Sequence, residues 1–177
     1  MDEAREALHR AVKAAVDAGL CVVPPREDGT KAPEGYWKSF MSEPASIEIL
    51  RDAYRTPRCG IGLVCGKVSG DLECLDFDSK EIYARFRSAC GDAGLDELLE
   101  RMESGYSEST PNGFHLLYRS EACGGCQKLA RTEDFDTLIE IKAEGGYIIV
   151  APTFGPVNPG GSYVLLSGSA ATIGHAE

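Results

Sequence analysis

LECLDFDSK, residues 72–80, alternates like a half-buried strand and ends in two acids. In an extended chain Leu75 and Phe77 face one way, while Cys74, Asp76 and Asp78 face the other. Two like charges on one face repel. Either water screens them at a strand end, or something positive sits between them.

A second stretch repeats the pattern. In DTLIEIKA, residues 136–143, Ile139 and Ile141 face one side, and Leu138, Glu140 and Lys142 share the other. If the two strands are neighbours in one sheet, Asp76, Asp78 and Glu140 converge. Carboxylates 4 Å apart repel by about 4 kcal/mol per pair at an intermediate effective dielectric constant. One or two divalent cations would remove that penalty, and oxygen ligands suit Mg²⁺ or Mn²⁺. The plain alternative is a solvated strand end, which an Asp-x-Asp pattern alone does not exclude.

Outward from these strands the chain changes period. Residues 2–18 place Ala4, Leu8, Val12, Ala15 and Val16 at helical intervals before Gly19, and SIEILRDAYR starts at Ser46 as an N-cap. CVVPP and CGIGLVCG read as short strands around the irregular loop EDGTKAPEGYWKSF. Helical patterns over 79–90 and 94–103 follow the first acidic strand. SESTPNGFHLLYR, DTLIEIKA, GGYIIVAP and SYVLLSG then make the second half mostly sheet. The expectation is an α+β fold with residues 1–177 as a single domain.

Composition sets limits. The 177 residues are 43% hydrophobic, with a formal net charge of −10, which argues against indiscriminate binding to nucleic acid or anionic membranes. No apolar run has the length of a membrane span, so no membrane partner and a cytoplasmic location are expected. Seven irregularly spaced cysteines do not read as a disulfide framework. Cys123 and Cys126 in CGGC have the spacing of half a zinc site without a second close pair, so structural zinc is not expected.

His115 follows a turn built by Asn112 and Gly113, where glycine would let a ligand approach the backbone. Its imidazole could donate to a phosphate oxygen, with Lys142 as a second cation, or it could be a structural histidine. Lys31, Trp37 and Lys38 read either as part of a nucleic-acid surface, the indole stacking on a base, or as a half-buried tryptophan with solvated lysines.

LDFD on one strand, TPNGFH opening a second and LIEIKAEGGYIIVAPT on a third resemble the three motifs of the bifunctional DNA primase/polymerase domain of the archaeo-eukaryotic primase superfamily. The likeness runs from about residue 8 to residue 166. It implies an RNA-recognition-like antiparallel or mixed sheet with flanking helices and an N-terminal α/β subdomain. It implies a nucleotidyl transferase in which Asp76, Asp78 and Glu140 are catalytic and hold two Mg²⁺ or Mn²⁺ ions. Nucleotide binding would fall to Asn112, Gly113, His115, Lys142 and Gly145. Asn112 stands where the family often has serine, with Ser109 and Thr110 near enough to substitute, and Glu140 stands where Asp is common.

The implied partners are nucleoside triphosphates and a single-stranded or primed DNA template. Many members continue into a helicase, so the resemblance admits a fused or separate helicase and a chain that is the N-terminal part of a longer protein. Two other readings of the same residues remain: a metal-dependent nuclease, and a catalytically silent nucleotide- or nucleic-acid-binding module.

Overall fold

A computed structural model describes residues 3–176. The first helix, α1 (Glu3–Asp17), places Leu8 and Ala15 in the core with Val12 and Val16 beside them, as the spacing predicts. Asp2, included in that pattern, lies outside the described residues. The helix stops at Gly19, whose φ of +75° suits a residue without Cβ. The Gly19 and Leu20 amides then bond the Val16 and Ala15 carbonyls at 3.0 and 2.9 Å, a Schellman closure that delivers Leu20 into the core.

Next come β1 (Cys21–Val23), a 3₁₀ turn over Trp37–Met41, α2 (Ile47–Ala53) and β2 (Ile61–Val64). Ser46 caps α2 by accepting from the Ile49 amide at 3.3 Å. Then follow β3 (Leu72–Phe77), α3 (Lys80–Asp92), α4 (Asp96–Gly105), β4 (Tyr106–Ser109) and β5 (Phe114–Arg119). The chain continues through β6 (Gln127–Arg131), β7 (Thr137–Lys142), β8 (Tyr147–Val150) and β9 (Val164–Gly168).

The strands form two sheets, β1-β2-β8 and β6-β7-β3-β5-β4-β9, in which every pairing between strands is antiparallel. The fold class is therefore α+β, and among the described residues no parallel strand pair makes the larger sheet mixed. The strand-rich second half is shared between the two sheets, with β8 in the smaller one. At the Ala143–Gly146 turn, where Gly145 has φ +78°, the chain leaves the six-stranded sheet and pairs with β2.

Strand alternation sorts the larger sheet's faces. Leu75 and Phe77, with Leu116, Tyr118, Ile139 and Ile141, pack against Tyr83, Cys90 and Leu99 of α3 and α4. Leu72, Cys74 and Leu117 pack on the opposite side against Leu8, Leu20, Ile61, Leu63 and Ile148 from α1 and the smaller sheet. That cover ends part-way along β3. Leu72 and Cys74 are fully buried, the Asp76 side chain is 26% exposed, and Asp78 is exposed.

All seven cysteines are free thiols, and Cys21, Cys65, Cys74 and Cys90 are buried as small hydrophobes. No helix among the described residues is long and apolar enough to cross a membrane.

Candidate active site

Antiparallel pairing of β3 with β5 and with β7 sets Asp76 directly opposite His115 on one side and Glu140 on the other. Directly paired residues share a face, with Cβ atoms about 4.5–5.5 Å apart. Lys142 pairs with Cys74 one step along the same face. Asp78 lies just beyond the strand, its amide bonded to the Leu138 carbonyl at 3.1 Å and Ser79 behind it capping α3 through the Ile82 amide. Backbone bonds on both sides thus fix where the second aspartate leaves the chain.

His115 is 5% exposed and is held at both ring nitrogens. Nε2 lies 3.3 Å from Asp76 Oδ1, and Nδ1 lies 2.7 Å from Glu108 Oε1. Burial pulls the imidazole pKa down, but hydrogen bonds and charge from Asp76 and Glu108 outweigh it and raise the value to about 9. At neutral pH the ring is an imidazolium that donates from both nitrogens. Burial pushes Asp76 up, yet the His115 bond and charge, with Lys142 and Lys31, hold it below the ordinary carboxylate range.

Asp78 goes the other way. Burial first, then the charges of Asp76 and Glu140, raise its pKa. Lys142 donates to Glu140 Oε2 at 2.7 Å, and burial, which lowers its pKa, is outweighed by Glu140 and Asp76. Each of the two paired strands therefore carries an acid met by a protein cation, while Asp78 is raised by burial and by its two acidic neighbours more than Lys142 and Lys31 lower it.

The remaining sequence candidates divide by position. The Thr110 amide donates to the Gly113 carbonyl at 3.1 Å, and Thr110 Oγ1 accepts from the Gly113 amide at 2.9 Å, so this hydroxyl closes the β4–β5 hairpin. A Cβ on Gly113 would lie 1.8 Å from the Phe77 carbonyl oxygen. What comes close to that glycine is the backbone of β3, where the sequence suggested a ligand. Asn112 is exposed at the loop tip.

Ser109 pairs with Phe114, which stacks on Tyr83 of α3, so Ser109 is on the face away from the carboxylates. As placed, it does not stand in for Asn112. Gly145 shapes the turn after β7 against Met41. The Trp37 ring is half-buried and packs 5.8 Å from that of Tyr147. Lys31 is exposed in the loop after β1, and its charge reaches both aspartates.

Glu108 is the residue that sequence reasoning missed. It is fully buried, and its Oε2 accepts from the Tyr106 hydroxyl at 2.9 Å and the Ala151 amide at 2.8 Å. The signal was in the hairpin: counting outward from the closure at Thr110 and Gly113 pairs Ser109 with Phe114 and Glu108 with His115. Tyr163, also buried, sets its ring 6.0 Å from His115.

Asp76, Asp78 and Glu140 form an all-oxygen donor set of the kind hard divalent cations take. Among the described residues no three His, Cys, Asp or Glu side chains are gathered closely enough to hold a metal as they stand. In this arrangement Asp76 is engaged by His115 and Glu140 by Lys142. The chemistry of the donors fits, and the two contacts use one oxygen of each engaged acid, Asp76 Oδ1 and Glu140 Oε2.

No curated protein matches the chain. The model of the bifunctional DNA primase/polymerase, N-terminal family (Prim-Pol) matches residues 11–175, a span that contains the acidic strand, the histidine hairpin and the third carboxylate. The chain belongs to the Prim-Pol family, whose members carry out nucleotidyl transfer of the DNA primase and polymerase type.

Proposed function

We propose that this chain is a template-directed nucleotidyl transferase, a DNA primase, a DNA polymerase or both, that joins nucleotides to a primer 3′-hydroxyl or to an initiating nucleotide. The observation that carries the reading is the register that puts Asp76 between His115 and Glu140 on one face. The fold class behind it is an archaeo-eukaryotic primase-like domain, with the six-stranded antiparallel sheet as its RNA-recognition-like part. The strands β1, β2 and β8 with α1 supply the smaller α/β part, and the whole chain serves as one catalytic unit.

Asp76, Asp78 and Glu140 would hold two Mg²⁺ or Mn²⁺ ions, which when bound activate an attacking oxygen and stabilise a leaving pyrophosphate. The protein's own contribution is electrostatic positioning. His115 presents a charged N–H donor at Nε2, and Lys142 presents an ammonium that Glu140 holds at 2.7 Å. Both are donors for triphosphate oxygens on the face that carries the carboxylates. Gly113 lets the hairpin bearing His115 close onto the strand bearing the aspartates. Gly145 orients the turn behind Lys142.

In the reaction the hydroxyl oxygen bonds to the α-phosphorus, the bond to the β-phosphate oxygen breaks, and the hydroxyl proton goes to solvent as pyrophosphate leaves. Template DNA, single-stranded or primed, and nucleoside triphosphates are the partners. A helicase, fused or separate, would supply the single strand in the cytoplasm.

The test is extension of a labelled primer on a single-stranded template in Mg²⁺ or Mn²⁺, beside an unprimed template, with each nucleotide set. Asp76→Ala should abolish extension and keep the wild-type circular dichroism spectrum. Retained extension in that variant overturns the reading. Shortening of the primer would show a nuclease, and metal-independent nucleotide binding without product would show a silent binding module.

A further inference from the structure

We infer that Glu108 is a positioning residue: it locks the His115 ring so that Nε2 faces the carboxylates and donates to a phosphate oxygen of the incoming nucleoside triphosphate. This rests on the nucleotidyl-transfer reading above. It assigns a role to a group that no part of that reading uses.

A fully buried carboxylate costs several kcal/mol unless it is met by donors. The fold meets Glu108 from three elements: the Tyr106 hydroxyl of its own strand, the Ala151 amide just after β8, and His115 Nδ1 of β5. Oε2 takes the first two and leaves Oε1 for the imidazole. Oε1 lies 2.7 Å from Nδ1, and an Nδ1–H that donates to the carboxylate completes the set of donors around it. Once Nδ1 is committed, the ring has one nitrogen left to offer, and the backbone register aims it at Asp76.

The two bonds are unequal, 2.7 Å to Glu108 and 3.3 Å to Asp76. The ring is anchored on its buried side and more loosely engaged toward the face that reaches solvent. A residue serving packing alone would not need to set the direction of a donor.

Glu108→Gln separates the two roles. The amide oxygen still accepts from Tyr106 and Ala151, and the amide nitrogen then donates to Nδ1, which must become an acceptor. Nε2–H survives, on a ring held by a neutral bond in place of one to a carboxylate. Charge-assisted bonds exceed neutral ones by a margin that corresponds to about tenfold in binding. The nucleotide KM should therefore rise about tenfold with kcat changed far less, and in a His115→Gln background the same substitution should alter KM less than about twofold.

Nitrogen-15 spectra of ring-labelled histidine, taken without substrate, should show a proton on Nδ1 in the wild type and none in Glu108→Gln. Tyr106→Phe, which removes one support of Oε2, serves if Glu108→Gln does not fold. It should give a smaller KM rise that likewise disappears without His115. Equal effects in both backgrounds, or an unchanged Nδ1 signal, overturn the inference. A wild-type protein that extends no primer defeats the nucleotidyl-transfer reading instead, and the nitrogen spectra still report whether Glu108 sets the ring.

Discussion

Raising the pH from 6.5 toward 9 should weaken the fold through His115. Its pKa is about 9 in the folded protein against an ordinary 6.5, so between those values the native state holds a proton that the unfolded chain has released. Stability then falls as pH rises. The contribution is complete below pH 6.5 and gone above pH 9. A gap of about 2.5 units at 1.36 kcal/mol each is about 3 kcal/mol, or about 6–12 °C in Tm for a chain of this size. The lowered pKa of Asp76 reports the same contact from the other side and is counted once; its own loss comes at low pH, as the carboxylate protonates. The assay is urea unfolding followed by circular dichroism from pH 6 to 10, for the wild type and His115→Gln with thiols kept reduced. Burial raises the Cys65 and Cys74 thiols and several tyrosines, so both proteins lose stability at the alkaline end. The difference in slope between the two proteins isolates the histidine. Parallel curves between pH 6.5 and 9 would refute the claim that Asp76 and Glu108 hold a charged ring.

Two further substitutions probe the same face. Gly113→Ala puts a methyl group 1.8 Å from the Phe77 carbonyl oxygen in a central strand, where the neighbour is backbone and cannot swing aside. A loss of about 3 kcal/mol, the upper end for overpacking, should appear as a lower urea midpoint, with extension lost as the hairpin lifts from β3. Asp78→Asn acts in the opposite direction on stability. The folded pKa of Asp78 is raised by burial, Asp76 and Glu140, so its charge works against the fold at neutral pH, and removing it should raise Tm slightly in the absence of divalent ions. Primer extension should be lost in the same variant, and a fall in Tm with extension intact would contradict both halves.

Much of the fold was legible because its main strands bury one face and its helices carry stripes at helical spacing. LECLDF and TLIEIK announce which side is apolar, and Leu75, Phe77, Ile139 and Ile141 do meet α3 and α4. β6 was not legible: QKLAR is an exposed edge strand with no apolar face, and only pairing with β7 makes it a strand. The sheet membership of β8 was hidden for the opposite reason. Ile148, Ile149 and Val150 are all buried, and an apolar run carries no mark of which sheet it joins.

The site divides along the same line between what periodicity encodes and what pairing decides. That Asp76 and Asp78 share a face follows from a period of two, and so does the shared face of Glu140 and Lys142. That these faces are one face follows from β7 and β5 pairing on either side of β3. Glu108 lies in YSES, a run polar enough to pass for solvent-facing, and becomes important only when the hairpin sets it opposite His115. The pairing also answers what sits between the acids. Asp76 has the imidazolium and Glu140 has the Lys142 ammonium, whereas the pKa of Asp78 is raised, by burial first and then by the charges of Asp76 and Glu140. Side-chain cations therefore neutralise two of the three acids and leave the third calling for positive charge. A site built this way holds Asp76 and Glu140 on one face of the folded chain, each against a side-chain cation, with Asp78 exposed just beyond the strand end.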